Sequence, residues 1–478
     1  MNKISRRSFL ASTGAGFAAI HAAKVESAER NDRPNIILCM ADDLGWGDTA
    51  YNGHPALKTP NLDDMAASGL RFDRFYAGAP VCSPTRGSCL TGRHPYRYGI
   101  FSANIGHLPD EEVNLAEVLK DEGYATGHFG KWHLGTLTKT LKDSNRGGPK
   151  GIEHYQPPWD SGFDVCFSTE AKTPTWDPMT VPERAAGGVR ADQTPGDKAD
   201  TYYWSGPDKR ATDNLKDDDS RVIMDRAIPF IQKAADDNQP FFAVIWFHTP
   251  HLPVVAGPDY LKMYDGYSER ERHYYGCITA MDEQIGRLRS ELKALGADDN
   301  TMLWFSSDNG PEWQRAGERA AGSAGPFRER KRSLYEGGIR VPGILEWPHG
   351  VKEARAIASP CSSSDFFPTA FAVLGLSAYD TPEPSDGVNL LPLIDGRTSI
   401  RPTPIAFQTQ GMYALSDNRY KLISPDAGDA WELYDLLADP RELNDLANDK
   451  PEIVSSMRIK FESWRASCAS SLEGHDYE

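Results

Sequence analysis

Three short apolar runs constrain the fold of this 478-residue chain more than any other feature. They are residues 35–40, 240–247 and 301–307, and polar side chains hardly interrupt them. Runs of this length are typical of strands that are buried on both faces of a sheet. Amphipathic segments that predict helices lie between and around them, at residues 220–235 and 269–295. Strands that alternate with helices predict an α/β fold with a parallel or mixed sheet.

The first third of the chain adds predicted strands at residues 70–77 and 124–129 and predicted helices at residues 59–69 and 115–122. A further helix is expected to start at Cys82, because Pro84 suits a first helical turn.

Residues 136–215 differ in composition and are rich in Gly, Pro, Asp, Lys and Thr, which predicts long loops over the core. Large rings are embedded there, and they either stack on a ligand or pack the loops down: His154, Trp159, Trp176 and Trp204.

The pattern changes again after about residue 380. Residues 413–415, 420–423 and 431–435 predict short strands separated by turn residues, and a helix is predicted from about 452 to 467. This part therefore favours a smaller antiparallel α+β domain.

The N-terminal residues have the features of an export signal. Residues 5–10, Ser-Arg-Arg-Ser-Phe-Leu, resemble the twin-arginine motif, and a short apolar run follows them. The run is too short to span a bilayer, and no later run is long enough. We predict that residues 1–30 are an export signal and that the protein is periplasmic or extracellular, without stable membrane insertion.

Charge and cysteine spacing exclude several classes of protein. A net charge of −16 argues against a general binder of nucleic acid or of membrane surfaces. The seven cysteines are scattered and form no CxxC pair, so neither a zinc ribbon nor a disulfide scaffold is indicated.

Acidic and amide side chains follow two of the buried strands. Asp42 and Asp43 come after the first strand, and Asp308 and Asn309 come after the third. Ligands at the carboxyl ends of neighbouring strands share one edge of an open sheet. Oxygen donors of this kind select Ca²⁺ or Mg²⁺ over zinc. Turns and helix caps would explain either pair alone, but together the pairs favour a divalent cation site.

Cations and imidazoles also fall near strand ends. Lys131 and His133 flank Trp132, so on a strand both would point to one face. His251 follows the second buried strand. Lys331 lies in the basic run 328–332, for which solvated surface is the ordinary alternative.

The segment Cys82-Ser83-Pro84-Thr85-Arg86 fits the Cys-x-Pro-x-Arg signature of the formylglycine-dependent sulfatases. Taken alone, Cys82 would be interpreted as a buried packing thiol. The resemblance extends over about residues 34–450 in family order, through these further motifs: residues 35–45, 90–93, 130–135, 249–251, 307–310, 335–342 and 431–440. The chain thus resembles the arylsulfatase and N-acetylgalactosamine-sulfatase type within the alkaline-phosphatase-like superfamily.

This resemblance implies a mechanism. Cys82 would be oxidised to formylglycine (3-oxoalanine), whose hydrate attacks the sulfate ester and then releases sulfate from a sulfo-enzyme intermediate. A Ca²⁺ ion would be held by Asp42, Asp43, Cys82 in its modified form, Asp308 and Asn309.

The same resemblance implies roles for the remaining polar residues. Arg86 and Lys131 would stabilise the deprotonated hydrate, and Lys331 would join Lys131 around the sulfate. His251 would protonate the leaving alkoxide, and His133 would assist release. The arginines at 330 and 332 depart from the family, in which small residues are common there, so they could change which cation contacts the substrate.

The implied fold is a large, mixed, mostly parallel sheet sandwiched by helices, with a smaller C-terminal α+β domain that bears an antiparallel sheet. We predict a catalytic sulfatase domain over residues 31–380 and a C-terminal subdomain over 381–478. The implied partners are a sulfated carbohydrate or small sulfate ester and a formylglycine-generating enzyme, and no nucleic acid. The alternatives are a phosphodiesterase or phosphonate monoester hydrolase of the same superfamily and a catalytically silent glycan-binding relative.

Overall fold

The computed structural model describes residues 33–313, 317–376 and 381–477. The predicted export signal, residues 1–30, lies outside the described residues. Within them the strands are β1 (Asn35–Ala41), β2 (Leu70–Phe72), β3 (Phe75–Tyr76), β4 (Ala125–Lys131), β5 (Val165–Thr169), β6 (Phe241–Trp246), β7 (Thr301–Ser307), β8 (Arg340–Val341), β9 (Gly343–Glu346), β10 (Arg355–Ile357), β11 (Cys361–Ser362), β12 (Ile405–Thr409), β13 (Met412–Ser416), β14 (Tyr420–Ser424) and β15 (Glu432–Asp435).

The α-helices of the described residues are α1 (Pro60–Ser68), α2 (Cys82–Thr91), α3 (Leu115–Asp121), α4 (Asp219–Asp236), α5 (Pro258–Lys262), α6 (Glu269–Ala294), α7 (Glu336–Ile339), α8 (Phe366–Val373), α9 (Leu391–Ile394) and α10 (Pro451–Leu472). Short 3₁₀ helices lie in the connections, at Ala50–Asn52, Pro95–Arg97, Pro149–His154, Pro158–Asp160, Arg184–Ala186, Ser363–Asp365 and His475–Tyr477. None of the helices in this part of the chain is long and apolar enough to span a membrane.

An eight-stranded sheet has the order β10-β2-β9-β7-β1-β6-β4-β5. The run from β7 to β5 is parallel, and β9 pairs antiparallel with both β7 and β2. The three predicted buried strands are therefore neighbours, with β1 in register between β6 and β7. The prediction of a mixed, mostly parallel sheet is confirmed.

Alternate residues of β1 enter two separate cores, which explains why its sequence is apolar throughout. Ile36 belongs to one hydrophobic cluster and Ile37 to another, and both side chains are buried. Helices α3 and α8 contribute to the first cluster, while α1, α4 and α6 contribute to the second. The sheet is thus sandwiched by helices, as predicted.

The C-terminal sheet, β12-β13-β14-β15, is built from consecutive antiparallel hairpins. One face packs on α10 through residues such as Leu422 and Phe461. The other face packs on the segment around Leu334 and Tyr335. The predicted antiparallel α+β part is confirmed, but β12 was not predicted and α10 is longer than the predicted helix at 452–467.

One local prediction was wrong. Residues 70–77 form two strands in different sheets, because the backbone N–H of Asp73 donates to Ile357 and the Arg74 guanidinium donates to the carbonyls of Asp417 and Asn418. The chain therefore leaves the large sheet at this turn. The region 136–215 is mostly loop, as predicted, but it also contains β5, which extends the sheet beside β4.

Candidate active site

The carboxyl ends of β1, β6 and β7 are tied together by backbone hydrogen bonds. Asp42 N–H donates to Thr249 O at 2.9 Å, and Asp308 N–H donates to Ala41 O at 3.1 Å. Asp43 adopts a left-handed backbone conformation with φ of 67°, and its N–H donates to Asp308 Oδ1 at 3.1 Å. This turn directs both adjacent carboxylates towards the same point at the sheet edge.

A cavity of about 450 Å³ opens over this edge. Its lining includes five of the predicted site residues: Cys82, Lys131, His133, His251 and Lys331. The other five lie beneath it, with their side chains buried: Asp42, Asp43, Arg86, Asp308 and Asn309. The structure thus brings all ten predicted site residues into one region.

Each of the three buried carboxylates makes a close contact with a buried cation. Three contacts join them: Lys131 Nζ to Asp42 Oδ2 at 2.6 Å, Lys331 Nζ to Asp43 Oδ1 at 2.5 Å, and Arg86 Nη2 to Asp308 Oδ2 at 2.6 Å. Burial raises the pKa of Asp43, but Lys331, His251 and Lys131 outweigh burial and hold that pKa well below its usual range. Burial and the neighbouring Asp42 raise the pKa of Asp308 to about 6.

The acidic cluster has the donor atoms that a hard cation requires. Three buried oxygens have no hydrogen-bond partner in the described residues: Asp42 Oδ1, Asp43 Oδ2 and Asn309 Oδ1. The Asn309 Nδ2 donates to Asp43 Oδ1 at 2.7 Å and to Gly310 O at 2.9 Å, which leaves its Oδ1 free to coordinate. Ligand atoms of Asp42, Cys82 and Asp308 lie within 4.8 Å of one another. These residues fit Ca²⁺, which prefers oxygen ligands.

Cys82 is the first residue of α2, a helix whose residues are all buried. Of the seven cysteines, all of which lie in the described residues and are unpaired, only Cys82 lines the cavity. Burial raises the pKa of the Cys82 thiol, although the charges of Lys131 and Lys331 act in the opposite direction. The thiol is therefore a poor source of thiolate near neutral pH.

Arg86 lies one helical turn after Cys82, on the same face of α2. Its Nη1 donates to Lys131 O at 2.9 Å, and its guanidinium lies 5.1 Å from the ring centroid of Trp246. With the contact to Asp308, these interactions connect the start of α2 to β4, β6 and β7.

His133 reaches the cavity in a way that the sequence did not predict. Strand β4 ends at Lys131, and His133 lies beyond it in a left-handed conformation with φ of 58°. Its Nε2 lies 2.9 Å from Asn104 Oδ1, which also accepts a 3.0 Å hydrogen bond from Asn145 Nδ2. Both Lys131 and His133 line the cavity, but a turn rather than strand alternation places His133 there.

His251 has one ring nitrogen held by the backbone and the other turned to the acids. Its Nδ1 lies 2.6 Å from Leu252 O, and its Nε2 lies 3.7 Å from Asp43 Oδ2. A carbonyl oxygen only accepts, so Nδ1 carries a proton. Burial lowers the pKa of His251 well below its ordinary value, although Asp43 raises it.

The basic run 328–332 separates into different environments. Lys331 is buried, and its pKa is raised because Asp43, Cys82 and Glu312 outweigh the effect of burial. Arg330 donates instead to Glu312 O at 3.1 Å, while Arg332 is half exposed and pairs with the Glu312 carboxylate, with Nη2 to Oε2 at 2.9 Å. Solvated surface is therefore the wrong interpretation for Lys331, and Lys331 is the cation of this run that contacts the acidic cluster.

Several cavity residues had no signal in the sequence. Asn104, Asn145, Lys172, Glu312 and Gln410 lie in loops or turns without a recognisable motif. Gln410 lies in the turn between β12 and β13, so the C-terminal sheet supplies part of the cavity wall.

The four large rings of the 136–215 region do not belong to the described residues that line the cavity. Trp204 is buried and donates from Nε1 to Asp143 Oδ2 at 2.7 Å. Trp176 packs against Gly257, and His154 lies against His107. The interpretation that these rings pack the loops down is supported for all four, since Trp159 also packs, at the edge of the first core cluster.

Solved structures place this architecture in a known class. The structure of Ps i-CgsB in complex with k-i-k-neocarrahexaose matches with a TM-score of 0.73 and 27% identity, over 90% of this chain and 92% of that chain. The phosphonate monoester hydrolase of Agrobacterium radiobacter shares the fold, with a TM-score of 0.63 and 21% identity over 91% of this chain and 96% of that chain. The fold is that of the alkaline-phosphatase-like class.

Sequence comparisons define the family within this class. A family model described as Sulfatase matches residues 34–376, and one described as N-sulphoglucosamine sulphohydrolase, C-terminal, matches residues 325–467. Human N-acetylgalactosamine-6-sulfatase is 34% identical over 388 residues, which cover 77% of this chain and 67% of that protein. Human arylsulfatase A is 31% identical over 482 residues, which cover 89% of this chain and 86% of that protein. The chain belongs to the sulfatase family and is a sulfuric ester hydrolase.

Proposed function

We propose that this protein is an exported sulfatase that hydrolyses sulfate monoesters on sulfated carbohydrates, with Cys82 converted to formylglycine and Ca²⁺ held by the acidic cluster. The observation that carries the proposal is the position of Cys82, whose sulfur lies among Asp42 and Asp308 at the floor of a cavity lined by Lys131 and Lys331. A formylglycine at position 82 would supply a hydrate with one hydroxyl for attack and a second for release of sulfate. Bound Ca²⁺ would supply a Lewis acid beside that hydrate.

The two cavity lysines provide the charge that a sulfate ester requires. Lys131 and Lys331 both line the cavity, and each also contacts a buried carboxylate. We expect them to bind the oxygens of the sulfate and to offset the negative charge that grows in the transition state. Arg86 does not line the cavity but lies deeper, where it holds Asp308, and its positive charge, which interacts with position 82, would help to stabilise the deprotonated hydrate.

His251 is the proposed donor of a proton to the leaving oxygen. Its Nε2 is the ring nitrogen that the backbone leaves free, because Leu252 O holds Nδ1. Without substrate, burial keeps the ring neutral. The negative charge of a bound sulfate ester raises the pKa of a nearby imidazole, so substrate binding favours the protonated form that donation requires.

His133 is the proposed base for release. In the neutral ring the contact to Asn104 Oδ1 assigns the proton to Nε2, so Nδ1 is left as an acceptor. The His133 Nδ1 is buried and has no hydrogen-bond partner among the described residues. It can therefore accept a proton from a hydroxyl group at position 82.

The relatives support a carbohydrate as the bearer of the sulfate. One is named as an N-acetylgalactosamine-6-sulfatase, and one solved neighbour contains a neocarrahexaose. Export is supported by the twin-arginine-like residues 5–10. The proposed maturation partner is a formylglycine-generating enzyme, for which residues 82–86 carry the signature.

Peptide mass spectrometry combined with turnover tests this proposal. The peptide that contains Cys82 should be lighter by about 18 Da than its unmodified form, from the mass balance of thiol to aldehyde. Cys82→Ala and Cys82→Ser should abolish hydrolysis of an aryl sulfate and keep the fold. Cys89→Ala, in the same buried helix but outside the cavity, is the matched control and should retain activity. Full turnover by a protein whose Cys82 is unmodified would contradict the mechanism.

Substrate preference distinguishes a sulfatase from the alternative enzyme class, the phosphodiesterases and phosphonate monoester hydrolases. The ratio of kcat/KM for an aryl sulfate to that for an aryl phosphate diester should favour the sulfate. A higher efficiency with the diester would assign the protein to the phosphodiesterase or phosphonate monoester hydrolases instead. An unmodified Cys82 together with absence of all turnover would favour the silent glycan-binding alternative.

A further inference from the structure

Lys172 lies where two cavities meet. It follows β5 and lines the active-site cavity, and it also lines a smaller cavity of about 80 Å³. Asn145 and Gly188 are the other residues that the two linings share. The wall beyond them is more apolar and includes Val181 and Pro253. The active-site cavity is thus extended past Lys172, on the side that the loops of the 136–215 region form.

Lys172 differs from the other cations of this region in its partners. Lys131, Lys331, Arg332 and Arg190 each pair with a carboxylate, from Asp42, Asp43, Glu312 and Asp200 respectively. In the described part of the chain no carboxylate forms an ion pair with Lys172, whose Nζ donates to Gly188 O at 3.0 Å. An ammonium has three donors, so two of them have no protein partner there.

The surroundings of Lys172 disfavour an isolated charge. Burial lowers the pKa of Lys172, and the positive charges of Lys131, Arg190 and Lys331 lower it further, while Glu318 raises it. A partly buried cation that no carboxylate contacts directly is costly. An anion at this point would remove that cost and would occupy the free donors.

We propose that Lys172 binds a second anionic group, a carboxylate or a second sulfate, carried by the leaving group of the substrate. This inference rests on the proposed sulfatase function, because the first sulfate then lies over Cys82 between Lys131 and Lys331. The remainder of the substrate extends from there into the cavity, and Lys172 is the cation on that path without an acidic partner. Lys172 is therefore a specificity residue, and the substrate class is a sulfated sugar with a further negative charge.

The experiment compares singly anionic substrates with sugar sulfates that carry a second anionic group. The probes are 4-methylumbelliferyl sulfate, N-acetylgalactosamine 6-sulfate, N-acetylgalactosamine 4,6-disulfate and glucuronyl-N-acetylgalactosamine 6-sulfate. Wild-type kcat/KM should be higher for at least one doubly anionic sugar than for the monosulfated sugar, and the two doubly anionic sugars distinguish a second sulfate from a carboxylate. Lys172→Gln should reduce that preference about 10- to 100-fold, mainly through KM, because a charge-assisted hydrogen bond is lost. Lys172→Arg should keep most of the preference.

Two measurements show that the effect belongs to the second anion. The inhibition constant of inorganic sulfate should change far less in Lys172→Gln than the preference does, since inorganic sulfate binds at the catalytic lysines. Lys233→Ala is the control, because Lys233 is exposed on α4 and pairs with Asp237 away from the cavity.

Three outcomes would overturn the inference. One is a wild type that cleaves the aryl sulfate but shows no preference for, or no turnover of, either doubly anionic sugar. The second is an equal loss of kcat/KM on all four substrates in Lys172→Gln, which would place Lys172 on the transferred sulfate. The third is an unchanged preference in a folded Lys172→Gln. Absence of aryl sulfate turnover in a protein with formylglycine at position 82 would instead contradict the proposed function.

Discussion

The Oδ1 atom of Asn104 lies 2.9 Å from Nε2 of His133 and 3.0 Å from Nδ2 of Asn145. Because Asn145 donates to this oxygen, the amide of Asn104 is oriented with its carbonyl towards the histidine. The contact therefore fixes both the ring position and the tautomer of His133, although Asn104 lies 29 residues before it in the sequence.

Replacement of Asn104 should impair His133. We expect Asn104→Ala to lower kcat about 10-fold with little change in KM, because a misplaced base loses part of a contribution of about 10²–10⁴. Asn104→Asp keeps an acceptor oxygen and should restore most of kcat. Steady-state kinetics on an aryl sulfate measures both values, with the exposed Asn448→Ala as control.

A double-mutant cycle tests whether the effect passes through His133. In the His133→Ala background, Asn104→Ala should cause no further loss of kcat. An additive loss would show that Asn104 acts on something else.

The Arg401–Asp365 pair should be a strong determinant of stability. Both side chains are buried, and Arg401 Nη1 and Nη2 lie 2.6 and 2.9 Å from the two oxygens of Asp365. Arg401→Met leaves a buried carboxylate uncompensated, which should lower the free energy of unfolding by about 3–5 kcal/mol. Urea denaturation measures this. The exposed pair Arg397–Asp395 is the control, and Arg397→Met should cost at most about 1 kcal/mol.

The pH dependence of stability should include a contribution from Glu442. Burial and the neighbouring Glu336 raise the pKa of this carboxyl to about 7, despite Lys421 at 2.9 Å. Between the ordinary value near 4.5 and about 7 the folded state binds more protons than the unfolded state, so stability falls as pH rises through this range.

Glu442→Gln removes that contribution. The free energy of unfolding of the variant, relative to wild type, should therefore increase between pH 5 and pH 7.5, as measured by urea denaturation at each pH. The exposed Glu452→Gln should show no such trend. A relative stability that decreases over the same range would show that the charged form of Glu442 is the favoured one.

Removal of divalent metal should destabilise the protein and abolish activity. If these residues hold Ca²⁺ as proposed, the oxygens of Asp42, Asp43 and Asn309 that have no hydrogen-bond partner within the described residues lose their ligand when a chelator is present. At a metal concentration of 1,000 Kd, binding contributes about 4 kcal/mol, so Tm should fall on chelation and recover with Ca²⁺. Asn309→Ala should shift the Ca²⁺ dependence of Tm to higher concentrations, whereas Asp259→Asn, on the exposed α5, should not. The same Tm with chelator and with Ca²⁺ would argue against a cation at this site.

The fold could be predicted because its strands are buried on both faces. In runs such as 241–246, apolar and polar residues do not alternate, because both faces of the strand are buried. The order of these strands and the predicted helices along the chain indicated the α/β class. Short strands were missed where contacts between distant parts of the chain determine the secondary structure. Strand β3 separates from β2 because Arg74 is held by the C-terminal sheet, more than 340 residues away.

The candidate site was predictable where residue type and motif coincide, as for Asp308 and Arg86. Lys172 and Asn104 were not, because a lysine or an asparagine in a loop is ordinary surface chemistry. The proposed roles of these two residues depend on their contacts in the folded protein, which are Lys172 with Gly188 and Asn104 with His133. The left-handed backbone conformation of His133 was likewise not predicted by any sequence pattern.

The turn between β12 and β13 brings Gln410 to a cavity whose floor belongs to a different sheet. The groups near Cys82 and the groups on this turn therefore have separate structural supports. Mutations can change the length or the charge of this hairpin without disturbing the strand ends that carry Asp42, Asp43 and Asp308. Such a division lets a family keep one reaction while it diversifies the molecules that it accepts, and it makes residues 409–411 the natural first positions for a substrate-selection library.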